Sequence, residues 1–188
     1  MTATDRTDPG RLGDVLAFLV TEFSAQVAVG GPEWHDRVVA VVSHLPHVLA
    51  ARLLSSVADL PHPEAGAALA AGSFRDGTRV AGGDTTRTAG MVVHNREAVR
   101  EQLTATIAGL TGLLERLDDD EQVAAWFETA RRARTAYLSG ASEERTVARD
   151  LPPAELVGLG EQGWLVTAVH DDSYDLVRGA LNSELRRP

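Results

Sequence analysis

The spacing of apolar positions predicts a chain built mainly of helices. Asp8 can cap a helix start and Pro9 suits the first helical position; Leu12, Val15, Leu16, Leu19, Val20 and Phe23 then recur at steps of three and four, the mark of one apolar helix face. A helix is expected from Pro9 to about Val27. Gly30 and Gly31 interrupt the pattern. From Pro32 to Leu60 runs a longer stretch, mostly Val, Leu and Ala, closed by Pro61. Its composition is that of a helix covered on most sides, and Pro46 within it should produce a kink, because proline removes a backbone hydrogen bond and crowds the preceding turn. Pro63 to Ala71 reads as a short Ala-rich helix, and residues 72–83 as a tight segment punctuated by Gly. Asp84 caps a helix through Met91, Val92 and Val93. From Arg96 to Leu117, the positions Leu103, Ile107, Leu110, Leu113, Leu114 and Leu117 form a stripe facing a core or a partner chain. Asp119, Asp120 and Glu121 open another helix, with Val123, Trp126 and Phe127 inside and Gly140 as its stop.

After Ser142 the texture changes. Residues 145–149 and 164–169 read as short strands around a helical turn starting at Pro153, and a last helix is expected from about Ser173 to Leu185. The fold class is therefore mainly α with a small α+β tail, divided into residues 1–140 and 141–188.

Composition narrows the chemistry. The chain has no Cys, which removes disulfides, thiolate metal sites and a cysteine nucleophile, and fits a reducing cytoplasm. All 18 basic residues are Arg, so a Schiff-base lysine and a P-loop lysine are both absent. A net charge of −9 repels nucleic acid and anionic lipid. No basic-then-apolar leader is seen, and no uninterrupted apolar run approaches the roughly 20 residues that span a bilayer. Neither a nucleic-acid partner nor a membrane is expected.

Against the apolar background of the long helix, Asp36, Ser43 and His47 fall on one face with Ala40, and His44 lies beside them. Polar groups on a buried helix must find partners; they are either satisfied core groups or the lining of a ligand pocket. His35, Asp36, His44 and His47 supply metal-ligand types, yet no second ligand pair at a known spacing appears. A serine-hydrolase arrangement fails, because no Gly-x-Ser-x-Gly elbow surrounds Ser43. Further on, Gly72, Arg75, Asp76 and Arg79 place two guanidinium groups four residues apart in a Gly-rich segment, suited to holding a carboxylate if they do not simply pair with Asp76. Gly158, Gly160 and Gly163 match the dinucleotide spacing, but the β-prone stretch follows rather than precedes them, which is the reverse of the required order.

His35 and Asp36, then Ser43, His44, Pro46 and His47, then Gly72, Arg75, Asp76, Thr78 and Arg79, then Asn95 opening a long helix, together resemble the prephenate dehydrogenase family, over about Leu12 to Leu138. The resemblance implies a helical bundle of the 6-phosphogluconate dehydrogenase C-terminal type that dimerises and completes a substrate site. By position, it implies that Arg79 holds a carboxylate of prephenate and His47 lines the same pocket, with Gly72, Arg75 and Asp76 bordering it, His35 and His44 supporting the helix, and Ser43 among the substrate-binding candidates. In the family, NAD or NADP and the catalytic His belong to an N-terminal Rossmann domain absent from this chain, so no cofactor is expected here and hydride transfer would need a separate Rossmann subunit. Thr88 departs from the Trp of many members. The expected function is the dimerisation and substrate domain of a prephenate or arogenate dehydrogenase, a homodimer binding a small dicarboxylate. The alternatives are a stand-alone lyase, isomerase or cyclase, and a non-catalytic binding dimer.

Overall fold

The computed structural model describes residues 1–139 and 142–179. In chain order they form α1 (Pro9–Phe23), α2 (Pro32–Val39), a π turn (Ala40–His44), α3 (Leu45–Ala58), α4 (Pro63–Leu69), α5 (Gly72–Thr78), a 3-10 turn (Arg79–Gly82), α6 (Thr85–His94), α7 (Arg96–Leu114), α8 (Asp120–Ser139), β1 (Glu143–Ala148), α9 (Pro153–Glu161), β2 (Trp164–Val169) and β3 (Ser173–Arg178). The fold is mainly helical with one small sheet.

The chain forms two compact units, one of residues 1–35 with those from Leu113 onward, the other Asp36–Gly112. The division expected near residue 140 follows secondary structure rather than packing, because the N-terminal segment shares the core of the sheet. That sheet is antiparallel in the order β1-β3-β2. Val27 extends it, exchanging backbone hydrogen bonds of 3.0 and 2.9 Å with Val166. Thr2 bridges Gly30 in parallel. Leu12 and Leu16 of α1, Val27, Val29, Leu156 and Leu159 of α9, and Trp164, Val166, Tyr174 and Leu176 of the sheet form one buried cluster. α1 starts as expected, with Asp8 accepting from the Arg11 N–H at 2.9 Å. It ends four residues short of Val27 because Ser24 turns left-handed, φ 50°, freeing Val27 to enter the sheet.

The helix expected from Ser173 is instead a strand as far as Arg178, followed by Gly179 at φ 80°, and residues 180–185 lie outside the described residues. Tyr174 and Leu176 point into the core while Ser173, Asp175 and Val177 alternate with them, a period of two rather than 3.6. The three glycines with dinucleotide spacing have structural reasons. Gly158 and Gly160 lie within α9, and Gly163 takes φ 90° in the turn into β2. A Cβ on Gly160 would stand 2.0 Å from the Val29 carbonyl oxygen, so this glycine lets the helix touch the backbone of its neighbour.

In the second unit α3 packs against α4, α5 and the 3-10 turn, and α6 packs against the π turn. Its fully covered apolar residues are few, Ala40, Ala50 and Val99 among them, whereas Val42 is 67% exposed, Ile107 62% and Leu110 51%. The expectation that the long helical run is covered on most sides does not hold within one chain. Only 17% of its most apolar window is buried.

Candidate functional site

The site forms around the break at Pro46. Proline has no N–H to give and its ring would strike the carbonyl four residues back. The chain resolves this with a π turn in which the Leu45 N–H reaches back five residues to the Ala40 carbonyl; a new helix then begins with Pro46 in its first turn, where a missing N–H costs nothing. The expected kink is thus a wide turn, a feature often found at functional sites. The added residue also rotates the polar stripe. Asp36 is exposed, Ser43 half-buried, and His44 is the buried polar residue, 7% exposed.

His47, in the first turn of α3, borders an open cavity of about 430 Å³ with Val48, Val80, Thr88, Ala89 and Val92 among its other walls. This is a size that takes a small molecule. The lining is almost wholly apolar. Thr88 spends its hydroxyl on the Asp84 carbonyl at 2.9 Å, and the Nδ1 of His47 is buried with no hydrogen-bond partner. An unpaired buried ring nitrogen costs about 1–3 kcal/mol.

Residues 72–82 are more regular than a punctuated loop: α5 runs into the 3-10 turn, and Thr78 donates to the Phe74 carbonyl at 2.7 Å. α5 rests on α3, with the Cβ position of Gly77 3.6 Å from Leu53. Arg75 and Arg79 are exposed and, among the described residues, form no ion pair, so the pairing of an Arg with Asp76 is not made. Arg79 directly precedes Val80 and Ala81 of the cavity wall. Of the residues singled out from sequence, His47 and Thr88 line this cavity and Arg79 flanks it in sequence. Ser43 and His44 lie on the π turn, Gly72, Arg75 and Asp76 on α5, and His35 on α2; none of these lines the cavity.

The sequence reading did not place three walls of the cavity or the contacts of Asn95. Thr85, Val92 and Val93 wall the cavity as ordinary positions of α6, and periodicity does not distinguish a pocket wall from a core face. Asn95, between α6 and α7, reaches the Asp36 carbonyl at 2.7 Å and the His44 Nδ1 at 3.2 Å; an Asn at a helix boundary signals a cap, not a link across 51 residues.

In the sheet-bearing unit, His170 Nε2 lies 2.8 Å from Asp175, which also accepts from Thr146 at 2.8 Å. These hydrogen bonds, that of His170 foremost, hold the Asp175 carboxyl below the usual carboxylate range. Burial pushes the Tyr174 phenol up, partly offset by Arg149. Both groups tie strands and turns together.

Residues 31–129 match the family described as prephenate dehydrogenase, dimerization domain. The cyclohexadienyl dehydrogenase of Zymomonas mobilis is 31% identical over 119 residues, 61% of this chain and 41% of the relative. The prephenate dehydrogenase of Bacillus subtilis is 29% identical over 140 residues, 71% of this chain and 37% of the relative. The chain therefore spans less than half the length of these relatives. Among solved structures, Synechocystis arogenate dehydrogenase superposes with a TM-score of 0.63 at 26% identity, over 72% of this chain and 50% of that one. Prephenate dehydrogenase from A. aeolicus in complex with hydroxyphenyl propionate and NAD+ gives 0.64 at 28% identity, over 71% and 48%.

Proposed function

This chain belongs to the prephenate dehydrogenase family through that family's dimerization domain, and from that premise we propose that it is a homodimerising domain whose His47 cavity binds a prephenate-type carboxylate. The observation that carries the binding half is the open, apolar cavity of about 430 Å³ that His47 borders and that Arg79 flanks in sequence. A carbocyclic ring fits such apolar walls. Arg79, exposed and without an ion pair among the described residues, supplies a fixed positive charge for a carboxylate, which guanidinium binds through two parallel hydrogen bonds. Arg75, one turn earlier, adds to the same field, with Gly72 and Asp76 at the border.

The homodimer is supported by the uncovered apolar surface of the second unit. Val42, Leu53, Leu54, Ile107 and Leu110 are each more than two-fifths exposed. The run Pro32–Ala58 is long and apolar enough to cross a membrane by length and composition. We assign its cover to a second copy instead, because a π turn and a buried, hydrogen-bonded His44 interrupt it.

The described residues do not fit a dinucleotide. The N-terminal segment leads into α1 through Asp8, a carboxylate that would repel a pyrophosphate at that helix start, and Gly158, Gly160 and Gly163 lie within and after α9 rather than at its opening turn, where a pyrophosphate would sit. The share of this chain is therefore to bind and orient the substrate, with NAD or NADP held by a Rossmann segment or subunit. The test is reconstitution: this chain mixed with the Rossmann half of a relative, prephenate or arogenate, and NAD+ or NADP+, followed by absorbance of the reduced nicotinamide. Turnover that needs both halves is expected. Failure to oxidise either substrate with a competent half would overturn the dehydrogenase reading.

A further inference from the structure

We propose that Asn95 is a positioning residue, using both hydrogens of its side-chain amide to fix His44 as the Nε2–H tautomer and to brace the π turn that places His47. The functional part of this inference rests on reading the His47 cavity as the ligand site.

The assignment follows from donor and acceptor logic. Asn95 Nδ2 lies 2.7 Å from the Asp36 carbonyl oxygen. A carbonyl only accepts, so this contact identifies the nitrogen end of the amide. The same nitrogen lies 3.2 Å from His44 Nδ1, and its second hydrogen faces that ring atom. A ring nitrogen opposite a donor must present its lone pair, which leaves the proton of the neutral ring on Nε2.

The backbone of Asn95 frees its side chain for this task. Its N–H donates to the Met91 carbonyl at 3.3 Å and its carbonyl accepts from the Val99 N–H at 3.0 Å, so both belong to the α6–α7 junction. The amide therefore has only the distant turn to serve. Asp36 stands one turn before the π turn and His44 is its last residue. A π turn is poorly favoured by itself, and an amide bonded both to its last residue and to the carbonyl one turn before its start holds the extra residue in place. His47 is three residues further on, and its buried Nδ1 has no partner to anchor it, so its position is inherited from the turn.

The test uses the whole chain, labelled with 15N. Long-range proton–nitrogen spectra report the tautomer of each ring in the unsubstituted protein, in Asn95→Asp and in Asn95→Ala, and each protein is titrated with prephenate. A carboxylate at this position accepts but cannot donate. The expected results are His44 protonated on Nε2 in the unsubstituted chain, transfer of that proton to Nδ1 in Asn95→Asp, displaced His47 ring signals in both variants, and prephenate affinity reduced at least tenfold at unchanged helicity. A His44 carrying its proton on Nδ1 in the unsubstituted chain would overturn the proposal, and that spectrum decides even where a variant fails to fold. Unmoved His47 signals in a folded Asn95→Ala would overturn the positioning role. Absence of prephenate binding by the unsubstituted chain counts against the ligand reading alone, since the ring spectra still decide the role of Asn95.

Discussion

Ile107→Asp tests the cover of the exposed apolar stripe. Ile107 is 62% exposed within one chain, on the helix that also carries Leu110 at 51% and Leu114 at 66%. Fully burying an Ile side chain is worth roughly 2–3 kcal/mol, so covering the exposed part of this one contributes about 1.5 kcal/mol per copy. A two-fold dimer buries it twice, giving about 3 kcal/mol, or roughly a hundredfold in the dimer dissociation constant. Placing a carboxylate in the seam adds a desolvation cost, so a hundredfold is the lower bound. Sedimentation velocity across a concentration series reads this directly. The unsubstituted chain is expected to sediment as a dimer, and Ile107→Asp to shift to monomer at the same concentrations with helicity retained. A variant that dimerises as tightly as its parent would refute the assignment of α7 to the interface, and a monomeric parent would refute the dimer itself.

The remaining perturbations separate binding from stability. His47→Phe removes the unpaired buried nitrogen while keeping a flat ring, so thermal unfolding should rise by an amount equivalent to about 1 kcal/mol, whereas prephenate binding by calorimetry should vanish; a less stable variant would show that Nδ1 has a partner after all. Gly160→Ala forces a methyl to within 2.0 Å of the Val29 carbonyl and should cost about 1–3 kcal/mol in urea unfolding, while Gly158→Ala, with nothing within 4 Å, should be neutral or stabilising; equal effects would refute the close approach of α9. The carboxyl of Asp175 is depressed in the folded chain, chiefly by His170 and then by Thr146, so its contribution is present above the ordinary carboxylate range and is lost as pH falls through the folded value. The stability difference between the parent and Asp175→Asn should therefore shrink as pH is lowered from 6 to below about 4, and a gap that widens would contradict that linkage.

What the sequence disclosed depended on how local the cause was. The starts of α1 and α6 were legible because Asp8 and Asp84 act on N–H groups three residues away, and Pro46 marked a break because its ring acts within one turn. The kind of break was not legible: a kink and a π turn both relieve the same clash, and packing of α6 on the turn accompanies the second. The glycines of residues 72–83 lower helix propensity and read as a punctuated segment, yet α5 forms against α3, an instance of tertiary packing overriding local preference. β3 was missed because six residues give too short a window to separate alternation from a helical period. The site divides in the same way. His47 stood out as a polar group on an apolar helix, whereas Asn95 acts across 51 residues, and one sequence carries no sign of that contact.

Calorimetric titration of the purified chain with prephenate, alongside Arg79→Ala, tests the central claim most directly. The account expects saturable binding at one site per chain, lost in Arg79→Ala without change in the assembly state. Binding of equal strength in the variant, or no binding by the unsubstituted chain, would contradict it.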